Sequence, residues 1–188
     1  MKKGLKFLLV ADSLATLALG MLGPIYAIFV EQIGGDILDA SWAFFAFTLT
    51  SGVVIYIIGK WEDKIKHKEK LISSGYFLVA LGCLGYILVY NQISLLGVQV
   101  ILGFAIALLS PAYDSLYSHY VRKKEEASDW GSWEAMGYIV SAFAALIGGY
   151  IASQLGFKAL FFVMFLFALF GAFASLSLFR SKNYLNTQ

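Results

Sequence analysis

The chain is 188 residues long, 60% of them hydrophobic and only 14% charged, with a formal net charge of +2. A soluble domain carries a charged fraction nearer ~25%, so most of this surface must face lipid rather than water. The small net charge, with its basic residues in short clusters, excludes a nucleic-acid footprint, and a single cysteine excludes an internal disulfide.

A membrane helix needs ~20 mostly apolar residues to cross a ~30 Å hydrocarbon core. Six stretches qualify, approximately 7–30, 41–59, 71–90, 94–118, 131–153 and 159–179. The first follows Met1-Lys2-Lys3 and has the outline of a secretory signal. Its apolar run, however, continues to Val30, Asp12 interrupts it, and no small-residue cleavage motif closes it. It reads as a span. The second ends in a basic loop, the third holds Cys83 as a small packing residue, and the fourth carries Gln99, Pro111, Tyr113 and Asp114. The fifth opens on Trp130-Gly131-Ser132-Trp133-Glu134, and the sixth ends before Arg180 and Lys182. Continuous runs with interior Gly, Ala and Leu exclude the alternating strands of a barrel. The expected fold is all-α, one polytopic domain over 1–188 with six transmembrane helices.

Basic residues set the orientation. Lys2, Lys3 and Lys6, the cluster Lys60, Lys64, Lys66, Lys68 and Lys70, the run Arg122, Lys123 and Lys124, and Arg180 with Lys182 all fall on one side. The opposite loops hold Lys158 against Glu31, Asp36 and Asp39. Both termini are therefore expected in the cytoplasm, with the chain in the inner (cell) membrane. Trp42, Trp61, Trp130 and Trp133 fall near predicted span ends, as interfacial tryptophans do.

The two prolines, Pro24 and Pro111, stand at nearly the same depth in spans 1 and 4, within Pro24-Ile25-Tyr26 and Pro111-Ala112-Tyr113. Three helices per unit makes the second unit inverted relative to the first, the inverted repeat of many secondary transporters. A chance match of two tripeptides is the competing reading.

The loop Gly59-Lys60-Trp61-Glu62-Asp63-Lys64-Ile65-Lys66-His67-Lys68 resembles the signature of the major facilitator superfamily. That signature is a glycine, three residues, an aspartate and a basic residue, then a second glycine and two more basic residues. Gly59, Asp63, Lys64 and Lys68 match; Lys66 replaces the second glycine and His67 the penultimate basic residue. Leu19-Gly20 and Gly23-Pro24 are similar to the family's helix 1 pattern, with Ala27 where a second proline is frequent. Gln99 and Gly103 stand where many members have an arginine and a glycine, and Ala144-Ala145-Leu146-Ile147-Gly148-Gly149 is like the antiporter motif with its Gly-Pro replaced by Ala-Ala.

The resemblance implies half of a twelve-helix transporter, in which two halves face each other across the pathway. A six-helix chain lacks that opposite wall, so a parallel homodimer is expected, with helices 2 and 5 of one copy on 5 and 2 of the other. Ser141, Ala145, Gly149 and Ser153 form a small-residue stripe that suits such an interface. Packing of the stripe within the subunit is the alternative. The resemblance also implies a cytoplasmic latch of Gly59, Asp63, Lys64, His67 and Lys68 with Asp114, in which Asp63 meets a helix N-terminus and His67 or Lys68 reaches Asp114.

Ionisable residues inside a membrane mark function by default. Asp12, Asp114 and Glu134 all lie about 10 Å from their span centres toward one face, at ~1.5 Å per residue. Glu134, among aromatics, suits a proton-coupling carboxylate; an interfacial glutamate at a helix N-terminus is the other reading. Thr16, Tyr26, Gln99, Tyr113 and Tyr138, with Ser110 and Ser141, are further polar candidates for the pathway. Carboxylates without buried basic partners favour a cationic or neutral solute, or protons, over an anion.

The expected function is a secondary transporter of small solutes by alternating access, working as a homodimer and coupled to protons, with lipid as its other partner. A non-transporting accessory protein and one half of a heteromeric transporter are the alternatives. No nucleophile–base set, metal cluster or cofactor motif points to an enzyme; His67 and His119 both lie at the membrane boundary.

Overall fold

The structure, a computed structural model, describes residues 3–62 and 64–182. Lys2 and Asp63 of the expectations above lie outside the described residues. The first span is built from α1 (Lys3–Gly20), a 3-10 turn at Gly23–Ile25 and α2 (Tyr26–Gln32). The remaining five are α3 (Ile37–Glu62), α4 (Lys68–Gly85), α5 (Gln92–Ser118), α6 (Glu126–Leu155) and α7 (Phe157–Lys182). Six of these spans are long and apolar enough to cross a membrane. Most of the helices overrun the expected limits by a few residues, while the third span ends at Leu88, short of the expected 90.

Local chemistry explains where the helices begin and turn. At the start of α3, Asp39 N–H donates to Asp36 Oδ1 (2.9 Å) and Asp36 N–H to Asp39 Oδ2 (3.0 Å), so two otherwise orphan amides are satisfied. Asn91 caps α5 in a reciprocal pair with Ser94. Only Gly156 separates α6 from α7. Its φ of 81° is a left-handed conformation that a side chain would strain, and so permits the hairpin.

The prolines act unlike each other. Pro24, between Gly23 and Ile25, starts the 3-10 turn that divides the first span, with Ile25 N–H donating to Leu22 O at 3.1 Å. Pro111 sits inside α5, which runs on unbroken. Proline removes one backbone donor in both places. Next to Pro24, Gly20 and Gly23 offer no resistance to a bend; around Pro111, buried Leu109, Ala112 and Tyr113 are fixed by their neighbours.

The packing shows the inverted repeat more fully than the prolines do. Helix α1 packs along α7 as α5 packs along α4, α3 lies on α5 as α6 lies on α1, and α4 and α7 pack on each other. Exchanging the first three spans for the last three maps every one of these pairs onto another, the pattern of two three-helix units related by an in-plane two-fold axis. Close approach is bought by missing side chains. A Cβ on Gly103 would stand 2.8 Å from Phe47 O of α3, and one on Gly148 only 2.1 Å from Met21 O, just past the end of α1.

The interior forms two clusters, one at each end. Leu8, Ile72, Tyr76, Tyr113 and Tyr117 belong to that on the N-terminal face; Met21, Phe29, Cys83, Phe161 and Met164 belong to the other. A buried hydrogen bond from Ser175 to Ser73 (2.9 Å) joins α7 to α4. By contrast α3 and α6 are peripheral, with only 11% of their apolar windows buried.

Candidate functional site

The polar candidates separate into two places. Toward the N-terminal face, Asp12 of α1 is held by groups from two other spans. Trp133 Nε1–H donates to its Oδ2 at 2.8 Å, and Tyr76 O–H donates to its Oδ1 at 3.3 Å. The Tyr113 hydroxyl is buried on α5, its ring stacked on Trp133 at a centroid distance of 5.4 Å. Tyr113, Tyr117, Trp130 and Trp133 stack as one aromatic cluster, with neighbouring ring centroids 4.8 to 6.0 Å apart. Asp12 is half-buried beside these rings, and its two hydrogen bonds join α1 to α4 and α6.

Asp12 and Tyr113 stand out in the sequence as polar residues of apolar spans, whereas Tyr76 does not; Trp133, near the start of its span, also reaches Asp12 with its indole N–H. The available signal was chemical, because a buried indole N–H requires an acceptor and Asp12 lies at its depth.

Beside this cluster a cavity of ≈ 470 Å³ opens between Leu5 and Leu9 of α1, Tyr117 and Trp133, and the loop joining α5 to α6. Arg122 closes that loop on Asp129: its backbone N–H donates to Oδ2 at 2.8 Å and Nη2 to Oδ1 at 2.6 Å. It also pairs with Glu125. The hydrogen bond from Arg122 to Asp129 raises the guanidinium above its already high ordinary pKa, so Arg122 stays charged and its charge is balanced by the Asp129 carboxylate.

The second place lies toward the opposite face. Gln99 Nε2–H donates to Tyr26 Oη, joining α5 to the start of α2. The pair lines a cavity of ≈ 280 Å³ with Leu22, Gly23, Phe47 and Met164. Thr16, half-buried on α1, falls between the two places.

Glu134 is exposed on the surface of the six-helix unit, as are Asp114 and Tyr138, the last at 78%. Glu134 is therefore not enclosed by the neighbouring tryptophans as the sequence suggested. In the latch loop, Lys68 Nζ donates to Ser115 Oγ, and His67 Nδ1 lies 3.1 Å from Glu69 Oε1. Lys68 thus meets the neighbour of Asp114 rather than Asp114 itself. Gly59 is half-buried at the end of α3 and Lys64 exposed in the turn that follows.

The small-residue stripe is divided by the fold. Ser141 faces α1 at Gly20, where a Cβ on the glycine would stand 3.6 Å from Ser141 Cα, so this part of the stripe packs within the chain. Ala144 and Gly148, one register away, make the close α1 contact. Ala145 and Gly149 are half-buried and Ser153 exposed; a Cβ on Gly149 would meet open space.

Comparison with known proteins agrees with this architecture. The profile of the Major Facilitator Superfamily matches residues 8–186. The uncharacterized MFS-type transporter MJ1560 of Methanocaldococcus jannaschii is 27% identical over 149 residues, 78% of this chain and 38% of that protein. The multidrug resistance protein MdtG of Erwinia billingiae is 24% identical over 172 residues, 89% of this chain and 42% of the relative. The uncharacterized MFS-type transporter YitZ of Bacillus subtilis is 20% identical over 146 residues, 77% of this chain and 88% of YitZ. The chain thus spans about two fifths of the length of two of these curated relatives and most of the third.

Proposed function

The chain belongs to the Major Facilitator Superfamily, and on that premise we propose that it is a secondary transporter of small solutes in which two copies, parallel in the inner membrane with cytoplasmic termini, provide the two walls of one pathway. The observation that carries this reading is the placement of Asp114, Glu134 and Tyr138 on the open surface of the six-helix unit. A carboxylate facing acyl chains is costly, and intramembrane carboxylates ordinarily face a bundle interior or a water-filled cavity. A second copy placed against the peripheral α3 and α6 gives these residues an aqueous pathway to line. The match to most of YitZ, beside partial matches to two longer relatives, supports a half-size unit.

Within that assembly Asp12 is the proton-coupling group, and Glu134 faces the pathway shared by the two copies. Alternating access changes the packing of α1 against α6, and the Trp133–Asp12 hydrogen bond crosses that contact. Protonation is thereby linked to the position of a helix.

The test is the mass of the purified protein in lipid nanodiscs over a concentration series. Two copies per disc support the reading, and a persistent monomer removes the second wall. With a dimer established, a pH-sensitive dye trapped in proteoliposomes reports protons moved with solute. Asp12→Asn and Glu134→Gln should each abolish that signal while leaving the dimer intact; undiminished coupling in both variants would falsify the proton assignment.

A further inference from the structure

We propose that the ≈ 280 Å³ cavity around Gln99 and Tyr26 is the solute subsite, and that it takes an uncharged, largely apolar molecule bearing one hydrogen-bond acceptor. This names the solute class of the transporter proposed above and rests on that reading.

Three observations lead there. The cavity wall is aliphatic and aromatic, from Leu22, Phe47 and Met164, and none of its lining residues is ionisable apart from tyrosine. Its polar side chains are three, Gln99, Tyr26 and Tyr86, grouped around the Gln99–Tyr26 hydrogen bond. Apolar walls with a few convergent polar groups are the usual composition of a small-molecule site, and the volume is near the lower end of the ~300–1,000 Å³ such sites occupy. Methionine adds an adaptable wall that accommodates more than one shape.

The pair also specifies what it seeks. In accepting from Gln99, the Tyr26 oxygen uses a lone pair and retains its own O–H to donate. A carbonyl or ether oxygen entering the cavity satisfies that donor. A cation does not, and the two carboxylates of the first span stand outside the cavity lining: Glu31 is five residues past Tyr26, about 7.5 Å, and Asp12 ten residues before Leu22, about 15 Å, at ~1.5 Å per residue. Solute and proton therefore occupy different depths of one span, on either side of Thr16.

The break in the first span gives access. Gly23 is exposed at the 3-10 turn, lines the cavity, and would place a Cβ in open space. A side chain at this position narrows the cavity without displacing backbone.

Benzophenone tests the assignment, being uncharged, carrying one carbonyl acceptor, and inserting into nearby C–H bonds on illumination. The purified chain in nanodiscs is illuminated over a range of benzophenone concentrations and the adducts are mapped by peptide mass spectrometry. Saturable labelling is expected on the cavity wall, Met164 foremost. Gly23→Leu should weaken it at least tenfold by occupying the space, and Gln99→Leu about tenfold by dissolving the polar pair, a loss equivalent to one hydrogen bond. Tetraphenylphosphonium, a permanent cation of two-ring width or more, should not compete. Non-saturable labelling spread over the lipid-facing helices, or displacement by tetraphenylphosphonium, overturns the proposal. Labelling requires neither a second copy nor a gradient, so saturable labelling without solute movement would keep the subsite and remove the transport reading, whereas transport with diffuse labelling would do the reverse.

Discussion

Trp133 donates its indole N–H to Asp12 across 2.8 Å, joining residues 121 positions apart and tying the start of α6 to α1. A hydrogen bond to a carboxylate contributes about 1.5–3 kcal/mol, more than a neutral pair. Trp133→Phe keeps an aromatic ring in the stack with Tyr113 and Tyr117 and removes the donor. A double-mutant cycle with Asp12→Asn, read from unfolding in detergent, should give a coupling energy of ~1–3 kcal/mol. Additive effects would mean that the two side chains are neighbours without a functional bond.

Adjacent glycines on α6 should respond differently to the same substitution. Gly148→Leu drives a side chain into the Met21 backbone and must separate α6 from α1, an overpacking cost of ~1–3 kcal/mol or more. Thermal unfolding should move down sharply. Gly149→Leu meets open space in the single chain and should leave protomer stability nearly unchanged. If α6 lies in the proposed interface, the same Gly149→Leu variant shifts the nanodisc mass from dimer toward monomer. A dimer indifferent to it would place the interface elsewhere.

The expected latch can be trapped. Lys68 touches Ser115, one residue from Asp114, so a small relative movement of α4 and α5 would bring Lys68 to the carboxylate. In a Cys83→Ala background, the pair Lys68→Cys with Asp114→Cys should form a disulfide under mild oxidation, and the cross-linked protein should lose transport until reduced. Disulfide formation requires Cα atoms within about 4.4–6.8 Å. No cross-link under any transport condition would dismiss the latch.

The Arg122–Asp129 clasp should stiffen the α5–α6 loop. Because Arg122 presents several donors to one carboxylate, lysine cannot reproduce the arrangement. Arg122→Lys should raise amide exchange over residues 119–129 and increase tryptic cleavage at Lys123 and Lys124, with little change in the exchange of α4 or α7. Unchanged loop protection would show that Tyr117, which donates to the Asp129 carbonyl at 2.6 Å, holds the loop alone.

Much of the site was legible because membrane burial makes polar residues conspicuous. Asp12, Tyr26, Gln99 and Tyr113 stand out in apolar runs, and the structure brings the first and last together and the middle two together. Tyr76 and Trp133 did not stand out, since aromatics are common in membrane spans and their polar atoms matter only once an acceptor is opposite. The stripe left two readings open for a related reason: four-residue spacing identifies a close-packing face and not the helix that packs on it, and the structure sets Ser141 beside Gly20.

Six membrane helices follow from the sequence alone, with their limits to within about five residues, because the hydrocarbon thickness and the need to satisfy every backbone group leave a continuous apolar run no other structure. The sequence also carried the family, through local motifs whose spacing survives without tertiary contacts. Only the tertiary structure decided which polar residues meet. Helix rotation about its axis is set by packing against neighbours such as Met21 on Gly148 and Phe47 on Gly103, and a small rotation of α5 or α6 changes a buried partner of Asp12 into a surface residue. That is the reason Trp133 is half-buried against Asp12 while Glu134, the next residue in the chain, is exposed.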